Sequence, residues 1–88
     1  MKRVSQTTHF SRDLKRMRKR GKDLSKLREV VKQLAAGKLL DPRLRDHALI
    51  GQWQLSRDCH IEPDWILIYR RTEDEVRLER TGTHSDLF

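Results

Sequence analysis

The amino-acid sequence predicts an α+β domain in which an N-terminal two-helix hairpin packs on one face of a small antiparallel β-sheet. Three observations predict this fold class. Residues 65–69 form an unbroken apolar run of strand-forming side chains, typical of a central strand buried on both faces. Apolar residues recur at helical spacing in two segments between residues 10 and 34. The strand-like segments after residue 52 are separated by short connections, which make neighbouring strands antiparallel.

The first half contains a predicted strand and a basic helix. Residues 3–8 alternate and include β-branched side chains, which favours a strand. Ser11 is predicted to cap the helix that follows, with Asp13 in its first turn complementing the helix dipole. Gly21 is predicted to end this helix. The apolar stripe of the helix is short and consists of Phe10, Leu14 and Met17.

A second helix has clearer boundaries in the sequence. Asp23 is its predicted N-cap, and Gly37 is predicted to end it. Its apolar positions recur every three or four residues: Leu24, Leu27, Val30, Val31 and Leu34. Residues 39–45, interrupted by Asp41 and Pro42, are predicted to form a loop.

The second half consists of predicted strands. A strand at residues 52–61 alternates, so that one face carries Trp53, Leu55, Cys59 and Ile61, and the other carries Gln54, Ser56, Asp58 and His60. Arg57 interrupts the apolar face, which indicates a bulge or a buried pair. The remaining predicted elements are the central strand at 65–71, a turn at 72–75 and a strand at 76–81.

Composition is typical of one domain spanning residues 1–88. The apolar residues make up 35% of the 88 and are clustered, which argues against disorder. No apolar run approaches the ~20 residues that span a bilayer, and no signal-peptide pattern is present. Cys59 is the single cysteine, so it cannot form an internal disulfide and is expected in the core. We therefore expect a cytoplasmic protein with no membrane partner.

Charge is distributed very unevenly along the chain. Residues 1–45 contain 15 Lys and Arg against 4 acids, whereas residues 46–88 contain 5 against 9. A basic half of this strength predicts a polyanionic partner, because a merely solvated helical face would interleave acids with the bases. No acid lies among residues 15–20, which include the candidate RNA-binding residues Arg16, Lys19 and Arg20.

Several residues of the second half could together cleave RNA. Attack of a ribose 2′-hydroxyl on its own phosphate needs a base and an acid, and histidine serves both roles near neutral pH. An arginine matches the geometry of the charged phosphorane, and aromatic faces hold a single-stranded base. The candidate residues are His47, His60, Asp64, Arg80 and His84 for catalysis, and Trp65 and Phe88 for RNA binding.

Other interpretations of these residues remain open on spacing alone. His47, His60, His84 and Cys59 do not match a known zinc-ligand spacing, and no metal or other cofactor is expected. Trp53 fits the core, and Trp65 fits the core as well as it fits an RNA site. Composition and spacing therefore favour nucleic-acid binding, with nuclease activity as the more specific hypothesis.

Three motifs in order carry a family resemblance. They are Asp46-His47-x-Leu49-x-Gly51-x-Trp53, then Arg57-Asp58-x-His60-x-Glu62-Pro63-Asp64-Trp65-x-Leu67-Ile68-Tyr69, then Arg80-Thr81-Gly82-Thr83-His84-x-x-Leu87-Phe88. This pattern closely resembles the YafQ-type toxins of the RelE-like ribonuclease superfamily from bacterial toxin–antitoxin systems. Ala48 departs from the pattern, because close relatives often have Pro there.

The resemblance implies a RelE-like fold and a specific activity. It implies cleavage of messenger RNA in the ribosomal A site without a metal, and inhibition by a cognate antitoxin, expected to be acidic. By resemblance, His47, His60, Asp64 and His84 fall on catalytic positions and Arg80 on the phosphate-stabilising arginine. Trp65 and Phe88 fall on residues that shape the RNA site. Ribosomal RNA is the expected polyanion for the basic half.

A non-catalytic RNA- or ribosome-binding module is the alternative hypothesis. It would use the same basic helices. It would have no need of the three histidines in the second half, which favour the enzyme.

Overall fold

The computed structural model describes residues 1–51 and 55–88. In these ranges a strand and two helices are followed by four strands and a short helix. The elements are β1 (Arg3–Gln6), α1 (Thr8–Lys19), α2 (Leu24–Ala35), a 3-10 turn (Pro42–Leu44), β2 (His47–Ala48), β3 (Arg57–Glu62), β4 (Trp65–Arg71), β5 (Glu75–Gly82) and α3 (His84–Leu87).

The strands form one sheet in the order β1-β5-β4-β3-β2. The α+β fold class is confirmed, and β4 lies at the centre, antiparallel to both β3 and β5. The sheet is mixed rather than purely antiparallel, because β1 pairs with β5 in parallel. Short connections dictate direction only for consecutive strands. β1 and β5 are separated by most of the chain, so that rule does not apply to them.

The central strand is buried on both faces, as its apolar run predicts. All five residues at positions 65–69 are fully buried. One face packs against α1 and α2, where Leu67, Tyr69 and Cys59 meet Phe10 and Leu34. On the opposite face, Ile66 and Ile68 pack against Leu87 of α3. The helical hairpin thus covers one face, and α3 covers part of the other.

The N-terminal boundary of α2 was predicted correctly, and that of α1 was not. Asp23 caps α2 as predicted, accepting a hydrogen bond from the Ser25 N–H. The first helix instead begins one turn earlier than predicted, because Thr7 rather than Ser11 accepts from the Phe10 N–H. Asp13 therefore lies in the helix interior, where it is buried and bonded to another element.

The segment before β3 differs from its predicted alternation. Leu55 is exposed, with a φ of 75°, so it does not belong to the apolar face of a strand. Trp53, predicted to be a core residue, lies outside the described residues. Arg57 forms an ion pair, although a partly exposed one rather than the buried pair predicted: its Nε lies 3.1 Å from Asp46 Oδ1, which also accepts from the Tyr69 hydroxyl.

No helix within the described ranges is long and apolar enough to cross a membrane.

Candidate active site

The candidate catalytic histidines converge on the sheet face that lies opposite the helical hairpin. Directly paired residues in an antiparallel sheet share a face. His47 is paired with Asp58, Asp58 with Ile68, and His60 with Ile66. Since Ile66 and Ile68 contact α3, the histidines of β2 and β3 lie on the same face as α3, which carries His84.

His84 and Asp64 form a close pair at the surface. Asp64 Oδ1 lies 2.6 Å from His84 Nδ1 and accepts the His84 backbone N–H at 2.9 Å. These two hydrogen bonds hold the pKa of Asp64 below its ordinary value. A carboxylate can only accept, so Nδ1 must carry the ring proton. Nε2 is then the nitrogen left for proton transfer.

Two aromatic rings surround His84. The His60 ring lies edge-on to it, with 5.4 Å between centroids and an interplanar angle of 68°. The Phe88 ring lies 6.5 Å away, tilted by 43°, and the Phe88 residue is 62% exposed. The structure therefore brings His60, His84, Asp64 and Phe88 into one exposed patch.

His47 faces a carboxylate of a different kind. Its Nδ1 lies 2.8 Å from the Arg45 carbonyl oxygen and 3.0 Å from Asp58 Oδ1. Asp58 is buried, and desolvation raises its pKa above the ordinary aspartate value, although the nearby His47 opposes that rise.

Arg80 is held in place by a buried partner. Its Nε and Nη2 donate to the two carboxylate oxygens of Asp13 at 2.6 and 3.1 Å. Asp13 is 2% exposed, and it also accepts the Thr81 backbone N–H. A guanidinium has five N–H groups. Three of them are left over for a phosphate once Asp13 has taken two.

A second carboxylate anchors α3. Asp86 accepts from the Thr83 N–H, and Thr83 caps the helix in return. Arg20 donates to both oxygens of Asp86 at 2.6 and 3.2 Å, which is the main reason that the pKa of Asp86 is well below its ordinary value. Gly82 is needed here, because a Cβ on it would lie 2.9 Å from Asp86 Cβ.

The predicted RNA-binding residues of α1 consequently differ in environment. Arg20 is committed to Asp86, and Arg16 lies 3.7 Å from Asp86 and 3.9 Å from Asp13. Lys19 is exposed and makes no ion pair within the described part of the chain. The acids absent from residues 15–20 in sequence are supplied to Arg16 and Arg20 by the fold.

Trp65, which the sequence left open between the core and the RNA site, lies in the core. It is fully buried in the cluster formed with α1 and α2, and its indole N–H donates to Thr81 Oγ1 at 2.9 Å. It supports the strand that carries the site.

The donors of the site do not assemble into a metal centre among the described residues. No group of three or more His, Cys, Asp or Glu is placed to hold an ion there. Cys59 is buried in the core cluster beneath the helices, and burial raises the pKa of its thiol to about 12. A groove of about 920 Å³ opens beside His60, between α2 and the 3-10 turn, and its lining does not include His84 or Asp64.

Three carboxylates of the site were not among the predicted site residues: Asp13, Asp58 and Asp86. Asp58 could have been found, because strand alternation already places it on the same face as His60. Asp13 and Asp86 gave no such signal, because their partners Arg80 and Arg20 lie 67 and 66 residues away.

The chain is similar in sequence to known proteins over nearly its whole length. Residues 2–88 match the family model described as the bacterial toxin of type II toxin–antitoxin system, YafQ. The mRNA interferase toxin YafQ of Escherichia coli strain K12 is 44% identical over 86 residues, which cover 97% of this chain and 94% of that protein.

Solved structures of similar sequence have the same fold. The E. coli DinJ–YafQ complex contains a chain that is 42% identical, with a TM-score of 0.93, covering 100% of this chain and 99% of that one. A metal-bound toxin from Helicobacter pylori is 39% identical, with a TM-score of 0.93 and full coverage of both chains.

Proposed function

This chain belongs to the YafQ family and is the toxin of a bacterial type II toxin–antitoxin system, and we propose that it cuts messenger RNA in the ribosomal A site by metal-independent acid–base catalysis. The similarity to mRNA interferases supports the endoribonuclease activity. We place that activity in one domain spanning residues 1–88, acting in the cytoplasm where ribosomes are found.

The observation that carries this proposal is the His84–Asp64 pair beside His60. Cleavage breaks the 2′-O–H bond as the oxygen attacks phosphorus, forms the O2′–P bond and breaks the P–O5′ bond. One group takes the 2′ proton, and another gives a proton to O5′, leaving a 2′,3′-cyclic phosphate. Two adjacent imidazoles can supply both transfers near neutral pH. We assign His84 the transfer that limits the rate, His60 the other transfer, and His47 the placing of the phosphate and the attacking hydroxyl.

Arg80 and Phe88 complete the proposed site. Asp13 fixes the Arg80 guanidinium, so its remaining N–H groups can stabilise the phosphorane without first being ordered. The exposed Phe88 ring beside His84 offers a face on which an unstacked base can rest. Trp65, which is buried, shapes the site from beneath by supporting β4.

Docking on ribosomal RNA is assigned to the exposed basic residues of α1. Arg12, Lys15, Arg18 and Lys19 are exposed and lie on one helix. Removing one phosphate contact lowers the salt slope of binding by about 0.9. Charge reversal at Lys15 and Lys19 should therefore weaken ribosome binding and flatten its dependence on salt. Unchanged affinity at moderate salt would contradict this assignment.

The inhibitor is expected to be a cognate antitoxin with an acidic segment that orders as it binds. The E. coli relative is solved in complex with DinJ, which supports a protein partner of this kind. The exposed cations of α1 provide the charge complement. If the affinity of the complex hardly responds to salt, the acidic character of the segment is wrong.

The decisive experiment maps cleavage ends on a defined message, with and without programmed ribosomes. The protein is first stripped with EDTA and exchanged into ribosome buffer, because the H. pylori relative is metal-bound. We expect cuts within A-site codons, cyclic or 3′-phosphate ends, and a rate equal to that of untreated protein. Restoration of a reduced rate by copper or zinc would contradict the metal-independent step. Ribosome binding without any cleavage would favour the non-catalytic module.

A further inference from the structure

Asp58 is a buried carboxylate in the middle of the site with little to compensate it. It is 4% exposed and sits on β3 between His47 on β2 and Ile68 on β4. Its Oδ1 is buried and receives no hydrogen bond from any residue in the described ranges. Buried carboxylates are normally paired or hydrogen-bonded, so this one calls for an explanation.

The nearest group to that oxygen is the His47 ring. His47 Nδ1 lies 3.0 Å from Asp58 Oδ1, but its hydrogen bond goes to the Arg45 carbonyl oxygen at 2.8 Å. The Arg45 carbonyl and the Asp58 carboxylate are both hydrogen-bond acceptors. Nδ1 must therefore carry the ring proton, whichever of the two it faces. The ring is thereby restricted to one neutral tautomer, with Nε2 as its unprotonated nitrogen.

The charges around Asp58 are mostly those of the proposed reaction. The groups that act on it are His47 on β2, His60 on its own strand and His84 on α3, and Asp46 opposes them with a like charge. No lysine or arginine is among these groups, and Ile68 on β4 is apolar. A carboxylate whose neutralising partners are three histidines costs stability whenever those histidines are neutral.

We propose that Asp58 is a positioning residue: together with the Arg45 carbonyl, it faces the Nδ1–H edge of His47 and turns Nε2 toward the RNA. The role rests on the proposed ribonuclease function, since it acts through His47 on the same reaction. This role explains why the sheet retains a buried carboxylate with few hydrogen bonds. The carboxylate lowers the stability of the fold, but it orients His47 for the reaction.

The first test examines the His47 ring directly and needs no activity. Long-range ¹H–¹⁵N correlation spectra of ¹⁵N-histidine-labelled protein distinguish the two neutral tautomers. We expect His47 with Nδ1 protonated in the parent protein at high pH. In Asp58→Asn the fraction of neutral His47 with Nδ1 protonated should fall, because the anionic acceptor beside that nitrogen has gone. An Nε2-protonated His47 in the parent would overturn the proposal.

The second test measures single-turnover cleavage of a programmed ribosome at saturating protein across pH. Loss of the carboxylate behind a metal-bound histidine typically costs about 10- to 100-fold, and we expect a loss of that order for Asp58→Asn. Its melting temperature should stay equal to that of the parent or rise. Glu75→Gln is the matched control: that carboxylate accepts from Ser5 at 2.7 Å, outside the site. It should retain the parent profile.

The outcomes separate the proposals. A rate within about threefold of the parent would overturn the role of Asp58, since it falls short of the range expected. A lower melting temperature with the parent's His47 tautomer in Asp58→Asn would show a merely structural carboxylate. If the parent itself fails to cut ribosome-bound message, the proposed function fails, while the tautomer measurement still decides the geometry.

Discussion

The His84–Asp64 and His47–Asp58 pairs place similar atoms at similar distances in different surroundings. Nδ1 lies 2.6 Å from the carboxylate in the first pair and 3.0 Å in the second, and both imidazoles are about half exposed. The Asp64 side chain is 66% exposed, whereas that of Asp58 is 5% exposed. Hydrogen bonds from His84 lower the pKa of Asp64, while burial raises the pKa of Asp58. Solvation and hydrogen bonding of the carboxylate, more than distance, decide what each pair does.

The His84–Asp64 pair, the open pair, is suited to proton transfer. The His47–Asp58 pair, the buried pair, is suited to orienting the His47 ring. Solvent reaches both His84 and its carboxylate, as the proposed proton transfer requires. Asp58 is buried, so the role proposed for it acts only through the His47 ring. In the proposed mechanism, the sheet face therefore carries a proton-transferring histidine near α3 and a positioned histidine on β2.

The largest effect that tests this comparison is the loss of His84. His84→Gln should lower single-turnover cleavage on programmed ribosomes by ~10²–10⁴, the usual contribution of a proton-transfer catalyst. Ribosome binding and folding should survive, because His84 is exposed. His47→Gln is the matched change at the other pair and should cost less. If His84→Gln stays within about threefold of the parent, the open pair is not the catalytic one and Asp64 or His60 becomes the candidate.

A smaller effect is expected when the anchor of the open pair is removed. Asp86→Ala deletes both the capping box of α3 and the contact with Arg20. Loss of a helix cap costs about 1 kcal/mol, roughly a fivefold fall in the ratio of ordered to disordered α3. We therefore expect the single-turnover rate to fall by at most about fivefold, with an unchanged His47 spectrum, because β2 does not depend on α3.

Arg20→Gln should cause part of the same loss of single-turnover rate at saturating protein, since Arg20 donates hydrogen bonds to both oxygens of Asp86. Lys19→Gln, its exposed neighbour, should instead raise the half-saturating concentration of ribosomes. If Arg20→Gln and Lys19→Gln both change only the affinity for ribosomes, Arg20 binds RNA rather than anchoring α3.

The smallest effect is a difference in pH-dependent stability. Asp64 has a pKa below its ordinary value of 3.8, so it stabilises the fold at higher pH and loses that contribution as pH falls below about 4. Asp58 has a raised pKa, so the folded state binds more protons than the unfolded state just above 3.8, and stability declines as pH rises through that window. The two carboxylates thus give opposite slopes.

Thermal melts of Asp64→Asn and Asp58→Asn from pH 3 to pH 7 measure these slopes. Relative to the parent, the first variant should lose a few degrees as pH rises to neutrality, and the second should gain. Both differences should shrink toward the acid end, as the parent carboxyls take up protons. Equal signs for the two variants would show that the two carboxylates are not solvated differently.

The local sequence pattern was enough to predict the elements whose apolar residues form a continuous run or recur at regular spacing. α2 was predicted from its cap and apolar spacing, and β4 from an apolar run that only a central strand can bury. Pattern failed where a competing local signal existed: Thr7 and Ser11 are both good caps, and the one that aligns α1 with β5 is used. The α3 helix was missed because four residues are too few for a period to appear.

Residue identity and short spacing were sufficient for the α+β class, the resemblance to the YafQ-type toxins and the set of histidines. The pairing of each acid with its base required the folded chain: Asp13 with Arg80, Asp86 with Arg20 and Asp58 with His47. The burial of Trp65 beneath the helices and the parallel placement of β1 also emerged only there. These outcomes depend on burial and on pairing between distant segments, and neither is written in the local order of residues.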